Sequence, residues 1–246
     1  MGKPAVRFRT RHGVIVALDA QTVDACKRTI DLTTGVEGLV GYKLGMTMAL
    51  SLGLAEAVRQ LRAHTDLPLL YDHQKAGPDV FDMAAKFASL CAKSGVDGLI
   101  LFPTAGPRAV EGFVSETLRH GMLALVGGDL PFPDYNVSGG GYVADDALER
   151  IMDKAIECGA DHFVVPGNTP DKLRYHSARL KAQMGKQGRA PVFVVPGIGP
   201  LGGKIGELVA AANGCSVYGV VGRAVYGAPD QAAAARALVD EAMAAA

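Results

Sequence analysis

The sequence predicts an α/β protein, a (β/α)8 TIM barrel forming a single domain over 1–246 with residues 1–12 as a short N-terminal extension. Three observations carry this reading. Short apolar, β-branched runs alternate with helix-length amphipathic segments eight times along the chain. The runs are continuously apolar, as parallel strands buried on both faces are. With 246 residues and 49% hydrophobic content, there is material for one large core, at a length where parallel barrels form one unit. Alternating β and α means a parallel sheet with right-handed crossovers, and eight such units close naturally into a barrel. An open doubly wound sheet is the alternative this pattern leaves.

The elements follow in order. VIVAL predicts a strand over 14–18, and an amphipathic helix spans 22–31. LVGYKL gives strand 39–44 and a helix over 46–63. PLLYD gives strand 68–72 and a helix over 79–93. GLILF gives strand 98–102 and a helix over 107–119. MLALV gives strand 122–126. A Gly/Pro-rich loop over 127–141 then precedes a helix over 145–158; a connection of that length usually forms a lid or binding loop. HFVV gives strand 162–165 and a helix over 171–184. PVFVV gives strand 191–195, a glycine turn and a helix over 204–212. SVYGVV gives strand 216–221, and a last helix spans 230–243.

Composition narrows the function. Lys+Arg and Asp+Glu are 25 each, so no strongly basic face is implied and nucleic acid is not expected as a partner. Trp is absent and aromatics are 6%, which disfavours an aromatic sugar or RNA platform. The four cysteines, Cys26, Cys91, Cys158 and Cys215, lie far apart without a CxxC pair. That spacing argues against a zinc knuckle or a disulfide scaffold and suits a reducing compartment. The N-terminus lacks a secretory apolar run, and no apolar stretch approaches the roughly 20 residues that span a bilayer. A cytoplasmic protein without a membrane partner is expected.

In barrels of this kind chemistry sits at the C-terminal ends of the strands. Asp19 ends the first strand, Lys43 lies in the second, and Asp72, Lys75 and Asp79 follow the third. A lone Asp at a strand end is weak evidence. A Lys inside VGYKL is stronger, because a buried ammonium needs an acidic partner or a ligand. Together these acids and lysines alternate in charge at one barrel mouth, an arrangement that separates pKa values and can hold a proton donor beside a carboxylate. His73 has no second His nearby and reads as structural. After the seventh strand, PGIGPLGG (196–203) opens a helix, and Gly222-Arg223 ends the eighth. Glycine-rich turns and helix starts suit anions, and phosphate binding after strands seven and eight recurs in this fold. The glycine turn and Arg223 together are therefore a candidate phosphate site, with plain tight turns as the alternative. No metal-ligand cluster is read, so no metal is expected.

Taken together, ALDA (17–20), GYKLG (41–45), YDHQKAGPD (71–79), VPGN (165–168), VVPGIGPLGG (194–203) and VVGRAVYG (220–227) resemble the orotidine 5'-phosphate decarboxylase suprafamily over nearly the whole chain. The third motif resembles its archaeal-type branch. The resemblance implies cofactor-free decarboxylation of a pyrimidine nucleoside monophosphate. It implies that Asp19 contacts the ribose or base side, that Lys43 binds ribose and an Asp, and that Asp72 faces the scissile carboxyl group. It implies that Lys75 protonates the resulting carbon, and that Gly199, Gly202, Gly203 and Arg223 hold the phosphate. Asp79 would reach into the partner's site in a homodimer.

Three departures stand out. The commoner motif is Asp-x-Lys-x-x-Asp, whose period-two spacing puts Asp and Lys on one strand face. Here the spacing is Asp-x-x-Lys-x-x-x-Asp, so Asp72 and Lys75 converge only where the strand has ended or bulged. The loop after the fifth strand usually offers a Ser or Thr to the base, whereas this chain has Asp129 through Pro133, with Pro131 among them. Leu201 stands where a base-bridging Gln is usual. Two alternatives follow: a suprafamily enzyme acting on a different phosphorylated carboxylate, or a phosphate-ligand-binding paralogue with degraded chemistry. Lys43 stands where metal-dependent members carry an acid, which disfavours a magnesium site.

Overall fold

A computed structural model describes residues 7–73, 79–199 and 202–246. Eight parallel strands close in sequence order, β1 pairing with both β2 and β8. They are β1 His12–Leu18, β2 Leu39–Leu44, β3 Leu69–Asp72, β4 Gly98–Leu101, β5 Leu123–Val126, β6 His162–Val164, β7 Val192–Pro196 and β8 Ser216–Val221. The helices are α1 Val23–Thr33, α2 Met46–Leu52, α3 Leu54–Arg62, α4 Ala84–Lys93, α5 Pro107–Arg119, α6 Ala147–Glu157, α7 Pro170–Gly185, α8 Ile205–Ala211, α9 Arg223–Tyr226 and α10 Gln231–Ala244. The closed barrel excludes the open sheet.

Helix boundaries follow local chemistry. Thr22 caps α1 by accepting from the Ala25 N–H, and Asp230 caps α10 by accepting from Ala233. Pro107 opens α5, where its missing N–H is not needed. The single helix expected over 46–63 is instead two. Gly53 has φ 77°, and this left-handed residue breaks the helix between α2 and α3. The helix expected from 79 starts at Ala84, after a 3-10 turn over Phe81–Met83. The long loop after β5 carries a 3-10 turn at Val137–Gly139 and an isolated pairing of Asn136 with Val143. The segment over 1–12 is expected as an extension, yet His12 already lies in β1. Phe8 packs on Tyr218 and His162 beneath the barrel.

Period-two alternation splits the core in two. Ile15, Ala17, Leu70, Ile100, Leu125, Val164, Val194, Tyr218 and Val220 form the barrel interior. Val16, Leu18, Tyr42, Leu44, Phe163 and Phe193 pack outward with the helices. Truncating one of these large side chains to Ala costs about 2–5 kcal/mol. The same alternation, continued past the interior layers, brings the ends of β1, β2, β3, β7 and β8 to a common mouth.

Candidate active site

The inward face of β1 runs Ile15, Ala17 and then Asp19, one residue past the strand's end. Lys43 pairs in register with Ala17 on one side and Leu70 on the other. Asp72 lies one pleat beyond Leu70. Register alone therefore sets Lys43 between two carboxylates from neighbouring strands. Its Nζ donates to Asp19 Oδ1 at 3.1 Å and Oδ2 at 3.3 Å, and to Asp72 Oδ2 at 3.0 Å. Lys43 and Asp72 are buried, while the Asp19 side chain is 43% exposed. Burial disfavours the Lys43 ammonium, but Asp72 and Asp19 outweigh that cost and hold its pKa above the ordinary lysine value.

These three residues form one wall of a cavity of ≈ 350 Å³ at the C-terminal mouth. Ala17, Ile100, Val164, Val194 and Val220 form its apolar floor, and Arg223 and Tyr226 also line it, from beyond the end of β8. That volume suits a small ligand, and the layout, an apolar floor with a few convergent charges, is that of a binding site. The exposed Arg223 opens α9, and its guanidinium has no carboxylate partner among the described residues. An anionic group at the Arg223 end and a reacting group at the Lys43 end could be bound together.

The other expected residues fall differently. Gly199, Gly202 and Gly203 donate their N–H groups to the carbonyls of Gly203, Gly199 and Gly197. Gly199 and Gly202 have φ 85° and 91°, so they shape a tight turn and spend their donors inside it. Asp79 is exposed and accepts from the Val80 N–H; it does not line this cavity. Lys75 and Leu201 lie outside the described residues. β3 ends at Asp72, which meets the condition under which the unusual Asp72–Lys75 spacing can work. Beyond the strand end His73 hydrogen-bonds Tyr71 Oη at 3.1 Å and packs on Phe87.

β5 is followed by Gly127, which has no side chain to project inward. A Cβ on Gly127 would lie 2.4 Å from the Phe102 ring, so Phe102 occupies that space. Asp129 is buried, and its Oδ2 accepts from Lys172 of α7 at 2.6 Å. Leu130 packs against the barrel interior and Pro131 follows it. Sequence reasoning missed the apolar floor, Phe102 and the Asp129–Lys172 pair. The floor could have been found by counting back in twos from Asp19, Asp72 and Gly222. The Lys172 contact joins positions 43 apart and left no local signal.

Among the described residues no three His, Cys, Asp or Glu side chains gather as a metal cage. No helix among them is long and apolar enough to cross a membrane.

Residues 13–238 match the family described as Orotidine 5'-phosphate decarboxylase / HUMPS family. The chain is 28% identical over 232 residues to orotidine 5'-phosphate decarboxylase of Pyrococcus abyssi, covering 93% of this chain and 98% of the relative. It is 30% identical over 248 aligned positions to the Rhodopseudomonas palustris enzyme of the same name, covering 94% of each. A solved structure of orotidine 5'-monophosphate decarboxylase from Methanocaldococcus jannaschii, complexed with the inhibitor BMP, superposes with TM-score 0.77 at 19% identity, covering 93% of this chain and 97% of that one.

Proposed function

Because the chain belongs to the orotidine 5'-phosphate decarboxylase / HUMPS family, we propose that it decarboxylates orotidine 5'-phosphate to uridine 5'-phosphate, without a cofactor, in pyrimidine biosynthesis. The observation that carries this reading is Lys43 held between Asp19 and Asp72 in the lining of a cavity that Arg223 also lines.

The chemistry assigns each residue a task. Arg223 binds the phosphate, with the turn over Gly199, Gly202 and Gly203 as the neighbouring wall. Asp19 and Lys43 bind the ribose side, and the apolar floor receives the base. Asp72 faces the scissile carboxylate. When the carbon–carbon bond breaks, carbon dioxide leaves and the electron pair stays on the ring carbon. The Lys75 ammonium stabilises that charge and delivers its proton there. Asp72 also disfavours the ground-state carboxylate. Phosphate binding far from the reacting bond supplies energy that can hold the closed site.

The protein acts as a homodimer in this proposal, with Asp79 serving the partner's site. The exposure of Asp79 and its absence from the lining of its own chain's cavity support that assignment. All four cysteines are free, which suits a cytoplasmic enzyme.

The test is direct. Purified protein incubated with orotidine 5'-phosphate should release carbon dioxide and uridine 5'-phosphate in equal amounts. Absence of both products overturns the proposal. One observation favours the second reading, a decarboxylase for a different phosphorylated carboxylate. With Gly127 at the end of β5 set against Phe102, which follows β4, and Asp129 turned to Lys172, the end of β5 brings no side-chain hydroxyl or amide into the cavity. Turnover of another phosphorylated carboxylate in preference to orotidine 5'-phosphate would support it.

A further inference from the structure

The place of the Asp19 carboxylate depends on a side chain that is absent. Gly45 joins β2 to α2 with φ −92° and ψ 175°, a backbone conformation open to any residue. Conformational freedom is therefore not the reason for glycine here. A Cβ at this position would lie 2.8 Å from Asp19 Oδ1, 3.9 Å from Asp19 Cγ and 3.8 Å from Lys43 Nζ. Its three nearest atoms all belong to the ion-paired groups of the site. The first contact is too close to survive.

What yields is decided by the neighbour. The atom met at 2.8 Å is the tip of a side chain, not backbone. Asp19 is 43% exposed and borders both the ≈ 350 Å³ cavity and a second one of ≈ 220 Å³ that Gly45 also lines. A methyl group at 45 is thus accommodated by turning Asp19 into open space, away from Lys43. The opposite side is looser, since a Cβ on Gly222 would stand 4.0 Å from Asp19 Oδ2, an ordinary contact.

We infer that Gly45 is a positioning residue for the reaction. Its bare Cα leaves the volume in which the Asp19 carboxylate meets Lys43, and so fixes one of the two carboxylates that hold the ammonium. The kinetic part of this inference rests on the decarboxylase reading; the geometric part does not.

Two variants test it. Gly45→Ala adds the methyl group, and Gly45→Ser adds the same Cβ with a better N-cap for α2. Both should lose about 10- to 100-fold in kcat/KM for orotidine 5'-phosphate, the scale for misplacing a site group by about 1 Å. Their melting temperatures should stay close to wild type. If the effect runs through Asp19, Gly45→Ala adds nothing to Asp19→Ala, so the double variant turns over no more slowly than Asp19→Ala alone. A crystal structure of Gly45→Ala should show Asp19 Oδ1 beyond hydrogen-bond reach of Lys43, past roughly 3.5 Å. Wild-type kcat/KM in both variants, or fully additive losses in the double variant, would overturn the inference. So would a crystal structure in which the Asp19–Lys43 contact persists because the backbone has moved. A wild-type protein inactive on orotidine 5'-phosphate would sink the decarboxylase reading instead, and the crystal structure would then decide this inference alone.

Discussion

Lys43 Nζ lies 3.0 Å from Asp72 Oδ2 because Lys43 pairs in register with Leu70, one pleat below that carboxylate. The contact is a product of sheet register rather than of loop conformation. A site built this way is rigid before substrate arrives, which is what electrostatic stabilisation of a developing charge requires.

Removing the ammonium should therefore cost stability as well as turnover. Lys43→Met leaves the buried Asp72 facing Asp19 without the cation between them. A loss on the order of 3 kcal/mol is expected, as for breaking a buried ion pair from one side, together with loss of decarboxylation. Asp19→Asn should cost less, about 1 kcal/mol or below, because Asp19 is 43% exposed and water screens it. Folded Lys43 has a pKa above the ordinary 10.5, so its contribution is complete below that pH and fades only as pH rises through the folded value. Denaturant titrations of the two variants, with turnover assays, check both magnitudes.

Most of the barrel was legible in the sequence because its signal is local. Eight apolar runs, each bounded by turn residues, give eight strands within a residue or two, and Asp19, Lys43, Asp72 and Arg223 sit at strand ends where the fold places chemistry. The errors have physical causes. Gly53 split a helix that propensity alone would continue. The glycines at 199, 202 and 203 are a different case: residue type marks the turn, but not that their N–H groups also close it. Asp129 is visible in the sequence as a polar residue after the fifth strand, but its partner Lys172 comes from a distant helix and leaves no local signal.

Arg223 should act through the phosphate. Its guanidinium can form two charge-assisted bonds to a phosphate, which neither Lys nor Ala reproduces. Arg223→Ala should weaken binding of uridine 5'-phosphate by about 2–3 kcal/mol and leave binding of uridine nearly unchanged. Calorimetry on both ligands measures the difference. Equal losses for the two would assign Arg223 to the fold instead.

Acid should destabilise the protein through His176. This imidazole is buried on α7, where burial first and Arg179 next lower its pKa to about 4, with Glu149, Asp129 and Lys172 also facing it. The unfolded chain takes up a proton near 6.5, the folded one only near 4, so unfolding binds a proton between those values. Stability is then unaffected above about pH 6.5 and declines as pH falls toward 4. The total is about 3 kcal/mol at 1.36 kcal/mol per pKa unit. Replacing the group by a non-titrating one, His176→Gln, should flatten this part of the stability profile. An unchanged slope would transfer the effect to other groups.

Chelation should leave turnover intact. The proposed chemistry uses an ammonium rather than a metal ion as the electrophile. Activity after exhaustive EDTA dialysis should equal that of untreated enzyme. Loss in EDTA with recovery on magnesium addition would favour a metal-dependent member of the family.

Sharing of the site between subunits has a quantitative signature. Asp79 is exposed in its own chain and is not among the residues that line the cavity with Lys43 and Asp72. If it completes the partner's site, Asp79→Ala and Lys75→Ala are each inactive as homodimers. A mixed dimer then holds one site with both lesions and one with neither. Under random exchange half of all dimers are mixed, and each has one intact site of two, so activity should recover to roughly a quarter of wild type. Mass spectrometry of differentially labelled subunits establishes that exchange has occurred. Exchange without recovery would mean that Asp79 serves its own subunit or neither.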